Sequence, residues 1–182
     1  MARVYLSLGS NLGDRVAALR AAVATLRRMA GVDFVAASHI YEAEPWEREP
    51  GRPASRSHWY LNCAVAIETT LAPADLLDRL QQIESAQGRQ RPAVTPEAAR
   101  FLPRPLDIDI LLYEDRIISI PDGLHIPHLF LHERAFVLRP LAELAPELEH
   151  PTLYRTMRDL LAELVDEHDV QPGEYPARWF ED

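Results

Sequence analysis

The chain contains no lysine: its 19 basic residues are all arginine. A Walker A phosphate loop needs its lysine, so a P-loop enzyme is excluded. Schiff-base chemistry through a lysine amine is excluded with it. Any permanently charged side chain that meets a phosphate must be an arginine. Cysteine is almost as scarce. Cys63 stands alone, which rules out an intramolecular disulfide and a cysteine-built metal cage. No apolar run approaches the length of a membrane span. The opening "MARVYLSLGS" reads as a strand and a turn rather than as a charged start followed by a long apolar stretch. A soluble, cytoplasmic protein is expected. With a formal net charge of −9, nucleic acid and anionic membrane should repel it unless a local basic patch intervenes.

What is present suits one domain of 182 residues, 47% of them hydrophobic. In residues 3–9, Val4, Leu6 and Leu8 share one face and Tyr5 and Ser7 the other, the pattern of a half-buried strand. A turn with Ser10 or Asn11 as helix cap follows. Leu12, Val16, Leu19, Val23 and Leu26 then recur at helical spacing, with Arg27 and Arg28 near the end and Gly31 beyond. Residues 33–43 read as a second strand. A polar, proline-bearing loop covers 44–58. The strand at 59–69 turns Leu61, Cys63, Val65 and Ile67 one way, and Tyr60, Asn62, Ala64 and Ala66 the other. The next helix starts at Pro73, lines its inner face with Leu76, Leu77, Leu80 and Ile83, and stops at Gly88. After a loop at 88–103 comes a strand ending in Tyr113. A short strand at "RIISI" and helices near 131–142 and 153–167 complete the chain. The order β-α-β-β-α-β over 3–113 predicts an α/β (α+β) fold, a ferredoxin-like sandwich with extra short strands and C-terminal helices. Helices should cover one sheet face. The other should expose Tyr5, Ser7, Tyr60, Asn62, Asp107 and Asp109, and function is expected there.

The segment "RPLDIDILLY" sets two acids in a run that is otherwise buried strand. Period-two alternation points Asp107 and Asp109 the same way, with Leu106, Ile108, Ile110 and Leu112 opposed. Their Cα atoms lie roughly 7 Å apart, and at an effective dielectric near 20 their repulsion is on the order of 2 kcal/mol. A divalent cation would reverse it. The preceding stretch "GRQRPAVTPEAARFLPR" sets Arg89, Arg91, Arg100 and Arg104 against the single acid Glu97. A guanidinium matches phosphate oxygens in bidentate fashion. Magnesium takes one or two carboxylates and fills its shell with water and substrate phosphate. Paired aspartates beside arginines therefore form the parts of a Mg-nucleotide site. His128 and His132 stand four apart but lack the HExxH order of a zinc pair. His132 fits a surface or capping place, while His128 and Arg134 can donate to a polyphosphate. Tyr60 offers a ring to stack on, and Asn62 an amide to read the edge of a flat heterocycle.

"LSLGSNLGDR", "YLNCAVAIET", "IESAQGRQR", "RPLDIDILLY" and "IPHLFLHERAFVLRPLAELAPEL" together resemble the successive motifs of the 6-hydroxymethyl-7,8-dihydropterin pyrophosphokinase family of the folate pathway. The resemblance runs from about residue 3 to 148, leaving 149–182 as a C-terminal helix and tail. It implies transfer of pyrophosphate from ATP to the pterin hydroxymethyl group, with release of AMP. It implies two Mg²⁺ ions on Asp107 and Asp109, catalytic Arg89 and Arg104, and further ATP contacts from Gln81, Glu84, His128 and Arg134. It also implies a pterin slot between Tyr60 and Phe136, read by Asn62, covered by Phe101 and bordered by Ala43 and Trp46. The substrates would be ATP and hydroxymethyldihydropterin, without nucleic acid or membrane, acting on a monomer. The chain departs from the family pattern at Glu47, Leu102, Leu129 and Phe130, and in two longer loops. An RNA-recognition module shares the topology, but the chain lacks its RNP1-like strand.

Overall fold

Alternating apolar residues put the first strand at the centre of a sheet. The computed structural model describes residues 1–46, 56, 59–89, 103–120 and 123–181. In it β1 (Ala2–Ser10) pairs antiparallel with β4 (Tyr60–Thr69) on one side and β5 (Asp107–Tyr113) on the other. Beyond β4 lie β2 (Val32–Ala37) and β3 (Tyr41–Ala43), and β8 (Val170–Pro172) adds to β3. The sheet order is β5-β1-β4-β3-β8, with β2 also on β4. The connections through α1 (Arg15–Arg28) and α2 (Pro73–Ala86) each span one intervening strand, the ferredoxin-like arrangement expected. Two short strands, β6 (Ile118–Ser119) and β7 (His125–Ile126), form a separate ribbon. A 3₁₀ turn (Leu131–Glu133), α3 (Ala135–Leu144) and α4 (Met157–Glu163) follow.

The main core lies between the sheet and α1 and α2. Leu6, Leu8, Leu61, Ile67, Leu80 and Leu106 are fully buried there. Each such side chain contributes about 2 kcal/mol. That is as much as the repulsion between the two strand aspartates costs, so the helix face can hold the fold while the far face carries charge. Gly88, at φ +87°, ends α2 in the left-handed conformation that favours glycine.

Several local expectations are corrected. The cap of α1 is Asp14, whose Oδ1 accepts from Ala17 N at 3.0 Å. Leu12 precedes the helix and is exposed. The strand expected over 33–43 breaks at Ser38, whose Oγ accepts Ala64 N at 2.9 Å and whose N donates to Ala64 O. Helices also cover part of the second sheet face. There Leu131, Val137, Leu138, Leu141 and Met157 pack with Ala64, Leu111 and Leu112, and Tyr5 joins this second core instead of the open surface. Leu112 changes face because β5 carries a bulge. Tyr5 pairs with Leu112 and Leu6 with Ile110, which leaves Leu111 as an extra residue.

Candidate functional site

The part of the second face that α3 leaves open is a cleft of about 530 Å³. Sheet register builds its floor. Gly9 lies opposite Asn62 on one side and Asp107 on the other, and Ser7 opposite Asp109. A Cβ at Gly9 would stand 3.1 Å from Asn62 Oδ1, so glycine keeps the floor flat between amide and carboxylate.

At one end of the cleft Asp107 is held by two arginines. Arg104 Nη1 donates to Oδ2 at 2.7 Å, and Arg89 Nη1 donates to Oδ1. Arg89 also donates to Glu84, which is 2% exposed and lies behind the cleft wall rather than on it. The Glu84 carboxylate accepts Ile108 N at 2.8 Å as well. It thus ties α2, Arg89 and the outer edge of β5 together. Arg104 is set from the other direction. Its N donates to Asn11 Oδ1 at 2.8 Å, and its carbonyl accepts Asn11 N at 3.2 Å. Asn11 is thus engaged with Arg104, three residues before the helix cap Asp14.

Asp109 turns toward the cleft, with 45% of its side chain open. Its pKa is raised, first by enclosure and then by the charge of Asp107, against the opposing pull of His128, Arg89 and Arg134. Solvent on its open side limits that rise. His128 Nε2 stands 4.0 Å from Asp109 Oδ2. His128 Nδ1 accepts Phe130 N at 3.3 Å, so the neutral ring carries its proton on Nε2 and offers it to the cleft. Burial lowers the His128 pKa, against the raising pull of Asp109. The bulge has a use here: His128 N donates to the carbonyl of Leu111, the extra residue, at 2.9 Å.

The other end is aromatic. The Arg134 guanidinium lies 4.7 Å from the Trp46 and Phe130 ring centres and 5.7 Å from that of Phe136. Tyr60 and Phe136 line the wall, with Asn62 between the aromatic and acidic ends. Asn62 is 3% exposed, and its Nδ2 meets no acceptor among the described residues. A buried amide donor left so costs about 1–3 kcal/mol unless a ligand or water meets it.

Ten of the sequence-predicted residues thus share one cleft: Arg89, Arg104, Asp107, Asp109, His128 and Arg134, with Trp46, Tyr60, Asn62 and Phe136. Ala43 is buried beside it in β3, and Gln81 lies on α2 outside the lining. Phe101, Arg91, Arg100, Glu47 and Leu102 fall outside the described residues, as does most of the arginine loop. Sequence reasoning passed over Gly9 and Glu44, and treated Phe130 only as a departure. The strand-end position of Gly9 was the one available signal. Among the described residues no cluster of three or more His, Cys, Asp or Glu forms a cage for a metal ion. Asp107 and Asp109 supply two carboxylates on one face. That donor set fits a magnesium ion that completes its shell with phosphate and water.

Comparisons with known proteins agree with one another. The sequence model of the 7,8-dihydro-6-hydroxymethylpterin-pyrophosphokinase (HPPK) family matches residues 5–146. The 2-amino-4-hydroxy-6-hydroxymethyldihydropteridine pyrophosphokinase of Methylorubrum extorquens is 44% identical over 164 residues, covering 90% of this chain and 94% of its own. The Pseudomonas aeruginosa protein of the same name is 41% identical over 160 residues, covering 88% and 90%. A solved structure of wild-type Plasmodium falciparum HPPK-DHPS superposes with a TM-score of 0.64 at 17% identity. That match covers 89% of this chain and 44% of the longer one, and speaks for the fold.

Proposed function

The chain belongs to the 7,8-dihydro-6-hydroxymethylpterin-pyrophosphokinase family, and on that footing we propose how its cleft transfers pyrophosphate from ATP to 6-hydroxymethyl-7,8-dihydropterin. The observation that carries the reading is the division of one cleft into an acid-and-arginine end and an aromatic-and-amide end. The pterin ring stacks between Tyr60 and Phe136, with Trp46 and Ala43 at its border. The orphan Nδ2 of Asn62 donates to the heterocycle's edge, and its carbonyl accepts from it. The triphosphate lies toward Arg89, Arg104 and His128, with Gln81 on the α2 side and Arg134 reaching to it from the aromatic end.

The hydroxymethyl oxygen then bonds to the β-phosphorus and loses its proton to water, the bond from that phosphorus to the α-β bridging oxygen breaks, and AMP departs with that oxygen. Such transfer depends on in-line positioning and on neutralising charge more than on a strong base. Two magnesium ions held by Asp107 and Asp109 would neutralise phosphate charge and acidify the attacking alcohol. Arg89 and Arg104 supply fixed positive charge along the phosphates. Neutral His128 donates from Nε2. Glu84 acts from behind, holding Arg89 at the rim. The same reading takes the 182 residues as one domain, a monomer working in the cytoplasm on small molecules alone. In support, one chain supplies both ends of the cleft, and no helix among the described residues is long and apolar enough to cross a membrane.

Measuring AMP release from MgATP with and without the pterin tests the proposal. Release should require the pterin and match formation of its diphosphate. ATP turnover that ignores the pterin, or none with both substrates present, would overturn it.

A further inference from the structure

The family match ends at residue 146, yet a segment well beyond it touches the cleft from behind. The Asp166 side chain is only 3% exposed. Its Oδ2 accepts Ala135 N at 2.9 Å. Ala135 is the first residue of α3, placed between Arg134 and Phe136, and α3 has no cap from its own neighbouring side chain. Asp166 therefore caps that helix from 31 residues away. It meets an N–H that the helix leaves unpaired and sets a negative charge at the positive end of the dipole.

The other oxygen, Oδ1, accepts His168 N at 3.0 Å and faces His168 Nδ1 at 2.6 Å. The His168 ring so held lies 6.1 Å from the Trp46 ring, tilted by 30°. One residue further, Asp169 and Glu44 clasp each other: Glu44 N donates to Asp169 O at 3.0 Å, and Asp169 N to Glu44 Oε2 at 3.1 Å. Val170 then pairs with Ala43 in the sheet. Glu44 and Trp46 line the cleft, and Ala43 and Ala135 adjoin it.

We infer that residues 166–170 form a positioning element for the pterin end of the site, with Asp166 seating the start of α3 and, through His168, the Trp46 ring. The inference rests on the proposed pyrophosphokinase reading. A strand that merely closed the sheet edge would need only the pairing of β8 with β3. The enclosed carboxylate, its two separate acceptor oxygens and the oriented imidazole all point past the sheet edge to groups that border the cleft.

The test uses the full chain with H168A, H168F and D166A. Pterin and ATP-analogue binding are followed by calorimetry, and Trp46 exposure by acrylamide quenching, with W46F assigning that signal. H168A should weaken pterin by about threefold to tenfold, the range one aromatic contact supports, with the ATP analogue held within about twofold. Its Trp46 should quench more readily. H168F, which restores a flat ring, should recover both. D166A should weaken both ligands, since Arg134 and Phe136 share the uncapped start of α3. Equal losses for both ligands in H168A, unchanged Trp46 quenching, or no recovery in H168F overturns the inference. A parent protein that binds no pterin sinks the functional reading instead, and quenching then decides the positioning role alone.

Discussion

Removing the Glu84 carboxylate separates a structural role from a ligand contact. The residue is 2% exposed, and its carboxylate accepts from Ile108 N and Arg89. In Glu84→Ala the Ile108 N–H, on the outer edge of β5, loses its acceptor at a residue 3% exposed. An orphaned buried donor costs about 1–3 kcal/mol. Arg89 adds less than the roughly 3–5 kcal/mol of a broken buried ion pair, because Asp107 still accepts from it. The sum is a loss of about 2–3 kcal/mol, or at least about thirtyfold in the folded-to-unfolded ratio. Glu84→Gln keeps a neutral acceptor for Ile108 and should lose about 1 kcal/mol. Urea denaturation followed by circular dichroism reads both values. A Glu84→Ala variant with the parent's midpoint, accompanied by weakened nucleotide binding, would refute this reasoning and make Glu84 a direct nucleotide contact.

Three further outcomes are expected. Asp107→Ala and Asp109→Ala should fold yet nearly abolish turnover across a magnesium titration; near-parental rates in either would remove it from the metal assignment. Tyr60→Ala and Phe136→Ala should each weaken pterin by about 1 kcal/mol beyond the effect on ATP, and equal calorimetric losses for the two ligands would indicate a packing defect. Burial, then the nearby His132, lowers the pKa of His150, whose Nδ1 already accepts from Thr152 and Leu153 backbone N–H groups. The unfolded chain therefore binds the proton first as pH falls, and stability should drop from its full value above about 6.5 toward the lower folded pKa. His150→Gln should flatten that slope; an unchanged slope in denaturation midpoints between pH 7.5 and 5.5 would count against it.

The helix-facing side of the sheet was legible in Val4, Leu6, Leu8, Leu61, Val65 and Ile67, because period-two burial leaves its mark on composition. The acid pair and its arginines were equally plain, since Asp107 and Asp109 break an apolar run. Other features were hidden for definite reasons. In "ILLY" every residue is apolar, so nothing in the pattern shows where Leu111 slips the phase. The turn was expected to cap with Ser10 or Asn11, and only the fold shows Asn11 spent on Arg104 and Asp14 in the capping place. The family resemblance implied Glu84 as an ATP contact, and its tie to Arg89 and Ile108 shows only when the fold brings them to it. The cover that α3 lays on Tyr5, and the reach of Asp166 to Ala135, are contacts between distant parts of the chain that local periodicity does not encode.

The extra leucine in β5 also limits how the chain can change length. With Leu111 deleted, Leu112 would take its place in register, and the apolar phase would run unbroken from Ile108 to Tyr113. The strand would be more regular. The carbonyl that receives His128 N would then belong to a differently placed residue, and the imidazole would lose its fixed address above Asp109. Substitution at Leu111 costs packing in the second core but leaves the carbonyl that receives His128 N in place. A change in residue count there alters strand register and the seat of His128 in a single step.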